Sequence, residues 1–398
     1  MSEQNGPGAA QPVIAGVLAS LVGFASTFAL VLAGLRAVGA SDAEAASGLA
    51  TLCFTMAVVA VWLGVRYRQP LAIAWSTPGA ALLVAGGEVP GGYPAALGAF
   101  AVAGALIVVA GLWRTLGRWV EAIPAALASA MLAGVLLPVC LTPVSAAVEL
   151  PAQALPVIAT WALLMRFARR WAVPGALAVA AAAIALDPRE AAAPTGLLPA
   201  LTFTAPTLDP GALLGLALPL FVVTMASQNV TGIAVLASFG YRAPITPALV
   251  STGAATVAGA PFGAHAINLA AITAALAAGP DAHPDPSRRW IASVAGGVTY
   301  LVLGLTAGLA AALVAVAPPL LIEAVAGLAL VGALAGALAA AMADAGRREA
   351  AVITFAVSAS GITVGGISAP FWGLVAGLVY AALQHERRAP AAAAADTV

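Results

Sequence analysis

Two short stretches hold residue types that can bind an anion without a buried cation. Residues 74–83 read AWSTPGAALL, and residues 259–272 read GAPFGAHAINLAAI. In the first, residues 74–77 read as extended chain and Pro78 stands where a helix would start. Proline suits a first helical turn because its missing N–H has no intrahelical partner there, and Ser76 or Thr77 can cap the free N–H groups. In the second, Pro261 and Gly263 oppose helix, and a regular helical run begins near Ala266. A helix N-terminus carries about half a unit of positive charge and several unpaired donors. Two such ends aimed at one point would hold a negatively charged group. The alternative is two proline-kinked helices, but a break at the corresponding place in each half of the chain favours the paired ends.

Other polar residues interrupt apolar runs nearby. Residues 22–27 read VGFAST and residues 227–232 read SQNVTG. Polar side chains in hydrocarbon are costly and face an interior cavity. Gln228 and Asn229 are adjacent and point in different directions, so one of them lines the cavity or only cross-links helices. His265 is the one histidine or acid deep in an apolar run. With an ordinary pKa of about 6.5 it reads either as a proton relay or substrate ligand, or as a satisfied hydrogen-bonding residue. His283 and His385 read as loop and tail residues. No cluster has metal-ligand spacing, no cofactor motif is present, and Cys53 and Cys140 read as small hydrophobes. Paired acids and nucleophile–base pairs are missing from the apolar runs, so no enzymatic chemistry is expected.

The elements that position these residues follow from composition. Of 398 residues, 62% are hydrophobic and 8% charged, with net charge zero and a mean hydropathy of +1.02. Soluble domains carry about 45–50% apolar and about 25% charged residues. The chain is therefore expected to lie in a bilayer, and a nucleic-acid partner or a disordered scaffold is excluded. A crossing needs about 20 apolar residues. Runs of this kind occupy 12–35, 43–65, 94–113, 120–139, 152–167 and 171–186, then 211–239, 246–258, 290–316, 320–341, 350–361 and 368–383. The interrupted pieces 71–85 and 259–279 bring the expected spans to fourteen. Every basic residue is arginine, and with a cytoplasmic N-terminus all but Arg36 and Arg189 fall on the cytoplasmic side, as the positive-inside rule requires.

The fold class read from the sequence is an all-α polytopic membrane protein. Residues 1–186 form a first repeat of seven spans, 187–210 an extracytoplasmic connection, and 211–385 a second repeat. An odd number of spans per half inverts the second repeat, an arrangement common in secondary transporters. Spans 3 and 10 are each broken into a short extended segment and a half-helix. Both termini are expected in the cytoplasm, with residues 1–11 a short free tail and 386–398 a disordered one.

At these residues the sequence resembles a known family. AWSTPGAALL, SQNVTGIAVL and GAPFGAHAINLAAITAALAAGPDAHPDPSRRW are similar to strings of the benzoate:proton symporter family of BenE type, and the resemblance runs from Pro12 to about Arg388. The family is similar in fold to the uracil and anion transporters with seven plus seven inverted spans. That resemblance implies a core domain of about 12–119 and 211–317 and a gate domain of about 120–186 and 318–385. It places substrate-binding positions at Ser76, Thr77 and Gly79, at Gly263, His265 and Asn268, and at Gln228 and Asn229, with Gly23, Phe24, Ser26 and Thr27 completing the wall. Phe24 and Phe262 would face an aromatic ring. Nucleobase transporters of this fold use acidic residues on spans 8 and 10, where this chain offers Gln228, Asn229 and His265. Their absence fits an anionic substrate, which a buried carboxylate would repel.

The implied activity is proton-coupled import of benzoate or a related aromatic carboxylate across a bacterial cytoplasmic membrane by alternating access, with His265 the candidate for proton coupling. The rivals are a transporter or exchanger of another anion on the same fold, and an anion channel. The expected partners are the aromatic carboxylate, protons and the lipid bilayer, with a homodimer left open and no cofactor.

Overall fold

The computed structural model describes residues 10–113, 124–185, 199–270, 272–315, 318–364 and 367–395. Helices α1 (Ala10–Ala37) and α2 (Asp42–Tyr67) lead into strand β1 (Ile73–Trp75) and the ten-residue helix α3 (Thr77–Gly86). Helices α4 (Gly92–Leu112), α5 (Ala125–Glu149), α6 (Pro151–Phe167) and α7 (Ala172–Ala185) follow. The second half opens with α8 (Pro210–Ser238) and α9 (Ile245–Gly259), then strand β2 (Ile267–Leu269) and α10 (Ile272–Ala278). Helices α11 (Trp290–Leu305), α12 (Ala307–Ala315), α13 (Pro319–Met342) and α14 (Arg348–Ala359) precede a hairpin of β3 (Thr363–Val364) and β4 (Ile367–Ser368), and α15 (Ala369–Ala395) closes the chain. Among the described residues, seven helices are long and apolar enough to cross a membrane, and the chain is a multi-pass, mainly helical membrane protein.

Local chemistry explains most boundaries. Ser41 and Glu44 form a reciprocal cap at the start of α2, in which the Ser41 N–H donates to the Glu44 carboxylate at 2.9 Å and the Glu44 N–H to Ser41 Oγ at 3.4 Å. Four boundaries differ from the sequence expectation, the first being the half-helix expected from near Ala266, which begins only at Ile272 because residues 267–269 pair as β2 with β1. The fifth span was expected over 120–139, but α5 continues to Glu149 through Pro138 and Pro143; residues 120–123 lie outside the described residues. Pro143 cannot donate to the Val139 carbonyl, and Thr142 Oγ1 does so instead at 2.7 Å while also reaching the Glu323 carbonyl at 2.8 Å. The span expected over 290–316 is interrupted at Thr306, whose hydroxyl and N–H both turn back to Leu303. The tail expected from 386 begins inside α15, which runs on through an alanine-rich stretch of high helix propensity; residues 1–9 and 396–398 lie outside the described residues.

Apolar packing gathers the helices into groups. The largest cluster joins α1, α2, α3, α4 and α8 and takes in one face of α5 and α13, with Leu30, Leu32, Leu49, Leu82 and Phe100 fully buried. A second cluster joins α5, α6, α7 and α13 around Val157 and Leu321, and a third joins α5, α13 and α14 around Leu127 and Ala350. Of the connection 187–210, residues 199–209 are described. They cross the end of the first cluster as a strap: Thr202 N–H donates to Ser47 Oγ, Thr204 N–H to the Pro261 carbonyl, and Thr204 Oγ1 to Glu44.

Candidate functional site

The two interrupted stretches meet. Strands β1 and β2 pair antiparallel, with Ile73 opposite Leu269, Ala74 opposite Asn268 and Trp75 opposite Ile267. Beyond the strands, the Ser76 N–H donates to the Ala266 carbonyl at 2.8 Å and the Ala270 N–H donates to the Ala72 carbonyl at 2.9 Å. These two bonds occupy equivalent places in the two halves. Each strand runs directly into its helix, β1 into α3 and β2 into α10, and because the ladder is antiparallel the two helices leave from opposite ends of it. The first turns of α3 and α10 therefore flank the short ladder, one at each end. Of the two ends, α3 is the longer and is capped; α10 has seven residues.

Ser76 is the best-connected side chain here. It is fully buried, accepts from the Gly79 N–H at 3.1 Å as the cap of α3, and shares a hydrogen bond of 2.8 Å with Thr224 Oγ1 on α8. Thr77 follows in the first turn, half-buried. A Cβ on Gly79 would stand 2.6 Å from Leu220 Cδ1 and 2.9 Å from Ser76 Oγ, so only glycine lets this turn close on α8. Within α8, residues Met225–Asn229 form a wider π-type turn, a feature often found at functional sites. Asn229, fully buried, accepts there from the Leu269 N–H at 3.0 Å and so holds β2. Its neighbour Gln228 is half-buried. Asn268 is fully buried in the ladder, with Nδ2 donating to the Leu269 carbonyl at 2.8 Å and Oδ1 without a partner among the described residues.

An aromatic wall adjoins the ladder. The Trp75 indole N–H donates to Thr27 Oγ1 at 2.9 Å, and Thr27 in turn donates to the Gly23 carbonyl at 3.1 Å. The Phe24 ring lies 5.8 Å from Trp75 and stacks on Phe28 at 5.2 Å, while Tyr300 stands 6.2 Å from Trp75 on its own side. Gly23 admits the Tyr300 hydroxyl, which would be 3.2 Å from a Cβ there. Ser26 is half-buried and donates to the Val22 carbonyl.

Three sequence-derived candidates lie apart from this group. Gly263 has φ +95°, a conformation that favours glycine, and packs against Gly48, the Tyr93 hydroxyl and the Glu44 carbonyl. Phe262 meets Phe203 of the strap edge-on at 5.7 Å. His265 is fully buried against α4, edge-on to Phe100 at 6.3 Å. Its Nδ1 accepts from the Ala266 N–H at 2.6 Å, and its Nε2 has no partner among the described residues. Conversely, sequence reasoning did not single out Trp75, Thr224 or Tyr300. Thr224 stands four residues before Gln228, on the same helix face, and Trp75 lies inside the quoted string, so both were open to discovery.

Over residues 8–383 the chain matches the family described as BenE, benzoate membrane transport protein. It belongs to that family. It is 38% identical over 371 residues to the inner membrane protein YdcO of Escherichia coli, covering 92% of this chain and 93% of that one. It is 31% identical to the benzoate membrane transport protein of Acinetobacter baylyi, with the same coverage of each. In structure it is similar to the transmembrane domain of the cyanobacterial bicarbonate transporter BicA, with a TM-score of 0.58 at 17% identity over 94% of this chain and 97% of that one. The murine anion transporter Slc26a9 in its inward-facing state gives 0.58 at 14% identity over 98% of this chain and 70% of that one. The chain therefore shares the fold of those anion transporters.

Proposed function

We propose that this BenE-family chain imports benzoate or a related aromatic carboxylate together with protons, by alternating access. The observation that carries the reading is the ladder: one strand–helix unit from each half of the chain, joined by equivalent hydrogen bonds, with no carboxylate in either unit. The substrate carboxylate rests against the Ser76-capped end of α3, beside Thr77 and Asn268, with Gln228 and Asn229 on the α8 side; Gly263 and His265 stand outside this contact, on the stretch that leads into β2. Phe24 and Trp75 face the ring, and Gly23, Ser26 and Thr27 complete the wall. The aromatic wall beside an anion-favouring helix end supports an aromatic acid over a small inorganic anion. No metal or cofactor takes part.

Fourteen crossings account for the order of elements, counting β1 with α3, β2 with α10 and α11 with α12 as one each, with both termini in the cytoplasm and the protein in the bacterial inner membrane. Residues 12–119 and 211–317 act as a core domain and 120–186 with 318–385 as a gate. Two smaller apolar clusters confined to α5, α6, α7, α13 and α14 support that division, while one face of α5 and α13 packs on the core. The core moves against the gate as a rigid body, carrying the ladder with it. His265 is the candidate proton carrier, because its Nε2 is buried and has no partner among the described residues.

The likeness to bicarbonate and anion transporters favours a second reading, exchange of another anion at the same ladder. Binding of radiolabelled benzoate to purified protein, competed by a panel of aromatic acids, formate and bicarbonate, separates the two. Competition by aromatic acids alone supports benzoate; competition by bicarbonate at equal concentration overturns it.

A further inference from the structure

A second polar feature lies beside the ladder, a half-open pocket between α1, α2, α10 and α11. It is a cavity of about 20 Å³ lined by Ser20, Ile73, Thr273, Ser293, Tyr300 and small residues of α1 and α11. Thr273 Oγ1 and Ser293 Oγ are buried and make no hydrogen bond among the described residues. Ser20 Oγ donates to the Gly296 carbonyl at 3.1 Å and also meets the Tyr300 hydroxyl. On α11 the residues Ser293, Gly296, Gly297 and Tyr300 follow the i, i+3, i+4, i+7 spacing of one face, and that face is buried. At a rise of about 1.5 Å per residue, Ser293 and Tyr300 are about 10 Å apart along the helix. One end of this hydroxyl row touches the ladder, because Tyr300 packs on Trp75. The other end lies one turn from Arg289, which donates to the Ala278 carbonyl at the far end of α10.

We propose that this cavity holds water and forms the inward half of the proton path, from the ladder at Tyr300 to the cytoplasmic end of α11 at Ser293. The inference rests on the proton-coupled reading above. A buried hydroxyl without a partner costs about 1–3 kcal/mol, so two of them on residues that line one pocket favour a hydrogen-bonding occupant. The space exceeds the roughly 10–15 Å³ that one water requires, and Ser20, Thr273 and Ser293 supply the two to four polar partners a buried water uses. Water fits better than a metal cation, because no carboxylate lines the cavity and a cation would be buried without a countercharge. Hydroxyls and water each donate and accept, so a row of them passes a proton on by taking one at one oxygen and releasing another. No bond to substrate forms or breaks.

The test uses full-length protein in liposomes carrying an internal pH dye, with Ser293→Ala, Thr273→Val and the double variant. Benzoate added outside drives internal acidification, read above protein-free liposomes because neutral benzoic acid itself leaks through bilayers. Counterflow of radiolabelled benzoate at equal pH reports substrate exchange without net proton release. The expected result is a loss of at least fivefold in protein-dependent acidification for the double variant, with counterflow within twofold of wild type. Unchanged acidification overturns the inference. Loss of counterflow together with acidification assigns the cavity a structural role and overturns it too. Wild-type acidification that disappears when sodium is replaced by choline makes the occupant a cation, again overturning it. A wild-type protein that gives no acidification removes the symport reading itself, an outcome distinct from any failure of the variants.

Discussion

Ser76→Ala probes the ladder at its best-connected residue. The substitution removes the acceptor of the Gly79 N–H and the partner of Thr224 Oγ1, both at fully buried positions. An N-cap replaced by alanine costs about 0.5–2 kcal/mol. The orphaned Thr224 hydroxyl adds about 1–3 kcal/mol. A loss of about 1.5–5 kcal/mol falls on the first turn of α3, the surface proposed to receive the carboxylate. With tenfold in affinity per 1.4 kcal/mol, the dissociation constant of radiolabelled benzoate is expected to rise by about tenfold or more. The control is Thr224→Val. Because the two hydroxyls are partners, Ser76→Ala/Thr224→Val is expected to cost less than the two single changes together, by about 0.5–3 kcal/mol. Binding by scintillation proximity and melting of the purified protein read both quantities. Ser76→Ala with affinity within twofold of wild type would refute the claim that this cap organises the site.

Further expectations follow from other contacts. Asn229→Asp places a negative charge beside the ladder and is expected to lower uptake at least tenfold at unchanged expression, because that charge repels the substrate. His265→Gln is expected to abolish accumulation driven by a proton gradient while counterflow persists; accumulation at the wild-type level removes His265 from the mechanism. Arg289→Ala leaves the Ala278 and His283 carbonyls, each bound at 2.7 Å, without their donor. Thermal unfolding is expected to report a loss of about 1.5–3 kcal/mol, the range for a hydrogen bond from a charged donor, with Arg289→Lys recovering part of it. Gly263→Ala forces φ +95° on a residue with a Cβ and crowds the Tyr93 hydroxyl, so folded protein in the membrane fraction is expected to fall severalfold.

The parts of the fold that were legible in the sequence are those written in local chemistry. Pro78 with Ser76, and Pro261 with Gly263, mark chain that cannot be ordinary helix, and the structure puts extended segments next to both. Hydropathy alone separated nearly all the helices. What failed was where a side chain supplies a missing backbone partner: the fifth span was expected to end at 139, but α5 runs on through Pro143 because Thr142 of the same helix satisfies the carbonyl that the proline frees. The register of β1 on β2 was not legible either, because it joins residues from opposite halves of the chain through backbone atoms. The same limit applies to His265: its residue type invites a functional reading, but only the packing reveals that its ring meets Phe100. Trp75 was hidden for the opposite reason, since its role depends on Thr27 and Phe24 from another helix.

The central claim is coupled transport of an aromatic carboxylate at the ladder. Radiolabelled benzoate uptake into proteoliposomes, with and without an inward proton gradient and corrected for protein-free vesicles, tests it most directly. The account predicts saturable accumulation that collapses on adding a protonophore and is lost in Ser76→Ala. Uptake that is indifferent to the gradient, or transport of bicarbonate with none of benzoate, would contradict it.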